Sequence, residues 1–392
     1  MADFRSRARD WLAVEAPRRG WLPSEAVRLA AAGHDSDAQA EELERSRACQ
    51  QALCAAGFGA ITYPEEYGGQ GLGIREQIEF NEEAAAYSLP MSELVVGLGV
   101  CAPTLLALGT EEQKARYLRP LLRAEEIWCQ LFSEPDAGSD VASLTTRAVG
   151  DATSGWTVDG QKVWTSGAHH ANFGLLLART DPTAPRRHDG LTMFVVDMTS
   201  PGITVRPLRQ MDGTAHFNEV FLDGVHVPPA NLVGTLDEGW KAAVVSLMSE
   251  RVSLGTTRAT AGMVPDAETL IDAARRGGVA TDPVLRAELI DVVIRERVLA
   301  YVAKRINAAL LAGRQPGPEG SIAKLFDSDL IRRAAAVGMR LHGPAGAAWD
   351  AGCPADGTWS RAVLFAPGMR IAGGTDEILR NTLAERTLGL PR

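Results

Sequence analysis

The hydrophobic period of this chain changes twice, and that double change constrains its fold more than any single motif does. Across residues 1–124 apolar side chains recur at helical spacing, most clearly over 41–56 and 76–87, with charged residues on the opposite side. From 125 to 233 the period drops to two, and turn residues bracket short β-rich runs at 156–158, 161–166, 173–178, 191–196, 203–208 and 218–222. Asp159-Gly160, between two of these runs, predicts a hairpin turn. Strand alternation then puts Trp164 and Ser166 on one face. From 234 onward long helical patterns return over 239–261, 267–277, 282–312, 321–342 and 376–388, with Gly/Pro-rich joints at 313–320 and 343–357. A chain of 392 residues exceeds what one core usually supports. The expected architecture is therefore mainly α with a central β domain. It comprises an N-terminal helical domain (1–124), a middle β-barrel-like domain (125–233) and a C-terminal four-helix-bundle-like domain (234–392).

Composition narrows what such a scaffold can serve. With 40 basic against 49 acidic residues the net charge is −9, which argues against nucleic acid as the main partner. The five cysteines, Cys49, Cys54, Cys101, Cys129 and Cys353, include no CxxC pair and read as reduced thiols of a cytoplasmic protein. Residues 1–10 carry Asp3, Arg5, Arg7, Arg9 and Asp10, a pattern unlike a secretory signal. The longest apolar run, 94–108, is broken by Gly97, Gly99 and Pro103 and reads as buried helix plus a turn, with no membrane span expected. Within it, Gly97 to Ala102 matches a loose dinucleotide-binding pattern, but it follows a helix instead of a strand, so the glycines read as close-packing positions. His169-His170 has no third ligand at a recognisable spacing, and no metal site is expected.

The stretch with most chemical content is Gln130-Leu131-Phe132-Ser133-Glu134-Pro135-Asp136-Ala137-Gly138-Ser139-Asp140. Ser133 and Ser139 offer hydroxyls, Pro135-Asp136 offers a turn, and Gly138 lets backbone come close, so the run can form a nest of N–H groups for a phosphate or an electron-rich heterocycle. On residue types alone it is equally an ordinary polar loop.

Ser133 to Asp140 resembles the flavin-binding signature of the acyl-CoA dehydrogenase family, and further stretches resemble that family in order along the chain. These are Tyr63-Pro64-Glu65-Glu66-Tyr67-Gly68-Gly69, Gly109-Thr110-Glu111-Glu112-Gln113-Lys114, Gly160-Gln161-Lys162-Val163-Trp164-Thr165-Ser166-Gly167, Phe217-Asn218-Glu219-Val220-Phe221 and Ile371-Ala372-Gly373-Gly374-Thr375-Asp376-Glu377-Ile378. The resemblance implies an FAD enzyme that removes the α-proton of an acyl-CoA thioester and passes the β-hydrogen as hydride to flavin N5, giving a trans-2-enoyl thioester. It implies cofactor contacts from Gln130, Phe132, Ser133, Gly138, Ser139, Trp164, Thr165, Ser166, Thr375 and Glu377, with Trp164 against the isoalloxazine and Ser133 and Ser166 at its polar edge.

The base needs a carboxylate of raised pKa. The family's commonest position for it corresponds here to Gly373, which has no side chain. Some members place the glutamate before an arginine in the first long helix of the C-terminal domain. This chain has Glu250-Arg251 there, with Leu247 and Leu254 on the same helix face as Glu250. The resemblance thus implies Glu250 as base, Gly373 as N–H donor to the thioester oxygen, and Ser139, Arg251 and Gly373 as substrate contacts.

Two departures matter. Residues 277–286 lack the family's Arg-x-x-Phe-Gly segment, and 341–346 lack its usual Gly-Gly-rich loop. Both changes are familiar in a branch that includes heterotetrameric steroid side-chain dehydrogenases, where a second related chain supplies flavin contacts. The expected partners are an acyl-CoA substrate, an electron-transfer flavoprotein as acceptor, and either further copies of this chain or a second acyl-CoA dehydrogenase-like chain. Rival readings are a flavin oxidase, monooxygenase or acyl-carrier dehydrogenase on the same scaffold, or a non-catalytic subunit of a heterotetramer.

Overall fold

A central sheet collects every named strand of the chain, with helices before and after it in sequence. The computed structural model describes residues 3–18, 36–256, 266–314, 318–348 and 357–391, with side-chain surroundings for these apart from 36–38, 250–256 and 358. The strands are β1 (Trp128–Leu131), β2 (Arg147–Asp151), β3 (Gly155–Ser166), β4 (Phe173–Arg179), β5 (Leu191–Asp197), β6 (Ile203–Leu208), β7 (Phe217–Val227) and β8 (Leu232–Val233). The sheet has eight strands in the order β6-β7-β3-β2-β4-β5-β8, with β1 added parallel to β4.

Both faces of β4 and β5 are covered, which is why they read as unbroken apolar runs instead of alternating ones. Leu175, Leu177, Met193 and Val195 pack toward the N-terminal helices, against Leu105, Leu118 and Leu121. Leu176, Ala178, Phe194 and Val196 pack with Trp156, Val158, Val220 and Leu222 of β3 and β7, so the sheet folds over its own second core. Trp156 and Phe194 meet there with ring centroids 5.0 Å apart.

Ahead of the sheet come α1 (Phe4–Glu15), α2 (Ser36–Ala55), α3 (Ile74–Ala84), α4 (Ala102–Leu108) and α5 (Glu111–Leu122). The apolar run before residue 108 divides into a π-helical turn, Gly97–Cys101, and α4, which continues it directly with Pro103 as its second residue. A capping box of Thr110 and Gln113 starts α5. After the sheet come α6 (Gly239–Thr256), α7 (Ala267–Arg276), α8 (Pro283–Leu311), α9 (Glu319–Leu341), α10 (Thr358–Met369) and α11 (Asp376–Arg386). Leu270, Leu289, Val292, Leu330, Ala334 and Trp359 form their shared core.

Three expectations change. Asp159-Gly160 is no hairpin: β3 runs through it from Gly155 to Ser166, pairing β2 and β7. The glycine is there because the residue leading into β2 comes close; a Cβ at Gly160 would sit 2.3 Å from Thr146 Oγ1. Asp159 instead accepts a hydrogen bond from Gly224 N–H at 2.9 Å. The pattern also misses β1, β2 and β8, which are at most five residues long. It misses α10 too, whose helical signal is interrupted by Pro367 and Gly368.

Candidate functional site

The loop after β1 is built by one buried ion pair. Glu134 is 5% exposed, and its carboxylate accepts hydrogen bonds from Thr145 N–H and Oγ1 (2.7 and 2.8 Å), Thr146 N–H (2.9 Å) and Lys162 Nζ (2.9 Å). Burial would raise this carboxyl, but the Lys162 ammonium and the threonine donors outweigh it and hold it at about 2. Burial pushes Lys162 down to about 8 against the pull of Glu134, so it stays protonated at neutral pH. Lys162 also donates to the Phe132 carbonyl at 3.0 Å, and Glu134 and Ala137 exchange backbone hydrogen bonds of 3.0 and 3.1 Å that close the Pro135-Asp136 turn. The apolar pattern of β3 could have flagged Lys162, since a charged residue within it demands a buried counter-charge.

Next to Lys162 the strand changes course. Val163 N–H donates to the Ser133 carbonyl at 2.9 Å, which ties the loop to β3 at the residue before Trp164. Between the pairs Lys162↔Val220 and Thr165↔Asn218 the register shifts by one residue, and Trp164 takes a left-handed conformation with φ 60°. Trp164 is 56% exposed, Thr165 2%, and Ser166 half-buried. Trp164 and Ser166 therefore share the open side as expected, but a bulge delivers them there, not plain alternation. Trp164 keeps an edge contact to Phe217, ring centroids 5.9 Å apart.

The other expected cofactor residues divide by what they can offer. Phe132 is 5% exposed and Thr165 2%, so neither presents its side chain to the open side. Among the described residues, the buried Thr165 Oγ1 and Gln130 Nε2 have no hydrogen-bond partner. Gly138 and Ser139 are exposed, and a Cβ on Gly138 would meet nothing within 4 Å, so no protein group exploits the glycine's small size. Asp140 pairs with Arg187 at 2.8 Å. An exposed indole beside a loop held rigid from beneath fits the face of a planar heterocycle such as a flavin.

Gly373 and Thr375 belong to the turn leading into α11, and Glu377 to the first turn of that helix. Gly373 and Gly374 have φ of 66° and 96°, and Thr375 caps α11 by accepting from Ile378 N–H at 3.2 Å. Glu250 and Arg251 lie in the C-terminal half of α6, and their side chains fall outside the described residues. Upstream on α6, Ala242 and Ala243 are buried in the core beneath the sheet, and Ser246 Oγ lies 2.9 Å from Thr104 Oγ1 of α4.

His169 and His170 sit in a turn, and their rings lie side by side with centroids 4.0 Å apart. His169 Nε2 is 2.8 Å from Gln39 Oε1. Burial, then the neighbouring His170, lowers His169 to about 4, leaving it neutral at pH 7. Among the described residues no cluster of three His, Cys, Asp or Glu side chains is arranged to hold a metal ion, and Cys49, Cys54, Cys101 and Cys129 are free thiols. Cys353 lies outside the described residues.

Three family models match the chain: acyl-CoA dehydrogenase N-terminal domain over residues 24–125, middle domain over 129–225 and C-terminal domain over 237–388. Acyl-CoA dehydrogenase IpdE1 of Mycolicibacterium smegmatis is 35% identical over 100% of this chain and 98% of its own length. Acyl-CoA dehydrogenase FadE34 of Mycobacterium tuberculosis is 40% identical over 88% of this chain, which spans only 46% of that longer protein. Among solved structures, the Tcur3481-Tcur3483 steroid ACAD is 29% identical with a TM-score of 0.82, covering 99% of this chain and 97% of that one. The ChsE4-ChsE5 complex from Mycobacterium tuberculosis is 27% identical with a TM-score of 0.77 over 99% and 97% of the two chains.

Proposed function

Because the chain belongs to the acyl-CoA dehydrogenase family, we propose that it oxidises an acyl-CoA thioester to the trans-2-enoyl-CoA with FAD bound on the open side of β3. The observation that carries this reading is the tie between the loop and β3. Lys162 and Val163 hold Phe132, Ser133 and Glu134 against the bulge that presents Trp164 and Ser166. When bound, FAD supplies the two-electron acceptor for the β-hydrogen.

The chain's own residues supply the rest. Ser133 and Ser166 place hydroxyls at the polar edge of the site, Trp164 shields one face of it, and Gln130 and Thr165 back the site from within the sheet. Gly138, Ser139, Thr375 and Glu377 complete the cofactor contacts in this reading, with Phe132 acting through its backbone. Ser139 and Arg251 hold the CoA portion. Glu250 takes the α-proton. Gly373 N–H donates to the thioester oxygen as negative charge develops there.

Adding acyl-CoA anaerobically is expected to bleach the flavin absorbance, and Glu250→Gln is expected to slow this by at least about 10²-fold. Bleaching of the variant at the parental rate rules Glu250 out as base. Steroid-like acyl groups lead the substrate panel, since one of the similar solved structures is a steroid ACAD. An electron-transfer flavoprotein is the proposed acceptor. The exposed line Ile290, Ile294 and Tyr301 on α8 supports assembly with further copies or with a related second chain. Among the described residues no helix is long and apolar enough to cross a membrane.

A further inference from the structure

The turn from α10 into α11 has a free apex and firmly held ends. At its apex Gly373 and Gly374 carry no side chains and both adopt left-handed conformations, so nothing local locks the direction of the Gly373 N–H. Its shape is decided at Arg370 and Asp376. Asp376 N–H donates to the Arg370 carbonyl at 3.1 Å, and Arg370 Nε donates to Asp376 Oδ2 at 2.7 Å. Lys324, reaching in from α9, donates through Nζ to both ends of the turn, the Arg370 carbonyl at 3.2 Å and Asp376 Oδ1 at 3.4 Å. Ser328 Oγ adds a donor to Oδ1 at 3.1 Å.

This arrangement is more than the helix start requires. Thr375 already caps α11, and an acidic residue in a helix's first turn does its electrostatic work at the surface. Here the Asp376 and Lys324 side chains are 5% and 6% exposed. Burying two opposite charges is costly, and an apolar pair of similar volume would often stabilise a bundle as well. What an apolar pair could not do is hold the two ends of a glycine turn in one geometry through directional bonds.

We propose that Lys324 and Asp376 are positioning residues that aim the Gly373 N–H at the thioester carbonyl oxygen. This rests on the reading of Gly373 as the donor to that oxygen. Neither side chain touches substrate; each acts through the turn. A misplacement of about 1 Å costs as much as 10²-fold in rate, so loosening the clamp falls on the chemical step more than on binding.

The test uses the FAD-loaded full chain and three variants, Asp376→Asn, Lys324→Gln and the two combined. The first readout is the carbonyl stretching frequency of enoyl-CoA bound to the oxidised protein, measured by difference Raman spectroscopy. It reports only on protein that has bound product, so a partly unfolded sample does not obscure it. The second is the anaerobic bleaching rate at saturating acyl-CoA.

Each single variant is expected to return the carbonyl frequency toward its value in free enoyl-CoA and to slow bleaching about 10- to 100-fold. Apparent affinity should change less than about threefold, and the double variant should be little worse than the more severe single one. A parental frequency in Asp376→Asn, with only the melting temperature lowered, overturns the proposal and leaves the pair a stability element. If the parent protein itself leaves the carbonyl at its free value, the Gly373 reading fails instead.

Discussion

Glu134 and Lys162 show how one pair of side chains can govern a site neither needs to touch. Each is almost fully buried, each satisfies the other, and between them they fix the path of the loop and the start of the bulge. Removing one partner leaves an uncompensated buried charge, which costs about 3–5 kcal/mol. Lys162→Met is therefore expected to lower unfolding free energy by roughly that amount, read from urea or guanidinium melts, the lower end applying because Thr145 and Thr146 still solvate Glu134. It is also expected to weaken FAD retention, since the Phe132 carbonyl loses its partner. The candidate residues on this loop and on β3 were legible because their types are unusual together. The pattern of β3 could flag Lys162 as a charge in need of a partner, but nothing local says that the partner is Glu134, 28 positions away.

At the scale of elements, two glycines decide contacts that no hydrophobic pattern reveals. Gly338 of α9 faces Trp359 of α10 so closely that a Cβ would lie 1.9 Å from the indole Cε3. Gly338→Ala must push the helices apart or turn the indole, and is expected to cost at least about 1–3 kcal/mol, measured as a shifted chemical-denaturation midpoint. Gly160 plays the same part between β3 and the residue leading into β2, and it explains why a pair of turn residues sits inside a continuous strand. Turn chemistry read from a dipeptide assumes open space on both sides. A neighbouring strand at close range changes which residue that position can hold.

Over the whole molecule, acid sensitivity should begin with histidines. Burial is the largest cause lowering His169 (to about 4), His170, His216 and His342. A depressed folded pKa means that the unfolded chain binds protons first, so this stability is present above about pH 6.5 and is lost as pH falls toward the folded values. Glu134, held at about 2 against an ordinary value of 4.5, adds a further loss below about pH 4.5. Glu93, which burial raises to about 7, gains stability as pH falls from 7 to 4.5 and offsets part of the histidine loss, so melting temperature is expected to fall in two stages, a shallow one below about pH 6.5 and a steeper one below about pH 4.5. His169→Asn should reduce the drop between pH 6.5 and 4; an unchanged drop would assign the first stage to other groups.

The succession of helices, sheet and helices was determined by sequence alone, because burial on one face or two imprints a period on the chain wherever an element is long enough to repeat it. α8 and α9 could be read within a few residues of their ends, and β4 to β7 at least in their cores. Short or interrupted elements, β1, β2, β8 and α10, carry too few repeats to register. Tertiary structure alone decided the bulge that exposes Trp164, the burial of Glu134 on Lys162 and the clamp of Lys324 on Asp376. Each depends on groups brought together from distant positions, and a charge or a glycine takes its meaning from what packs against it.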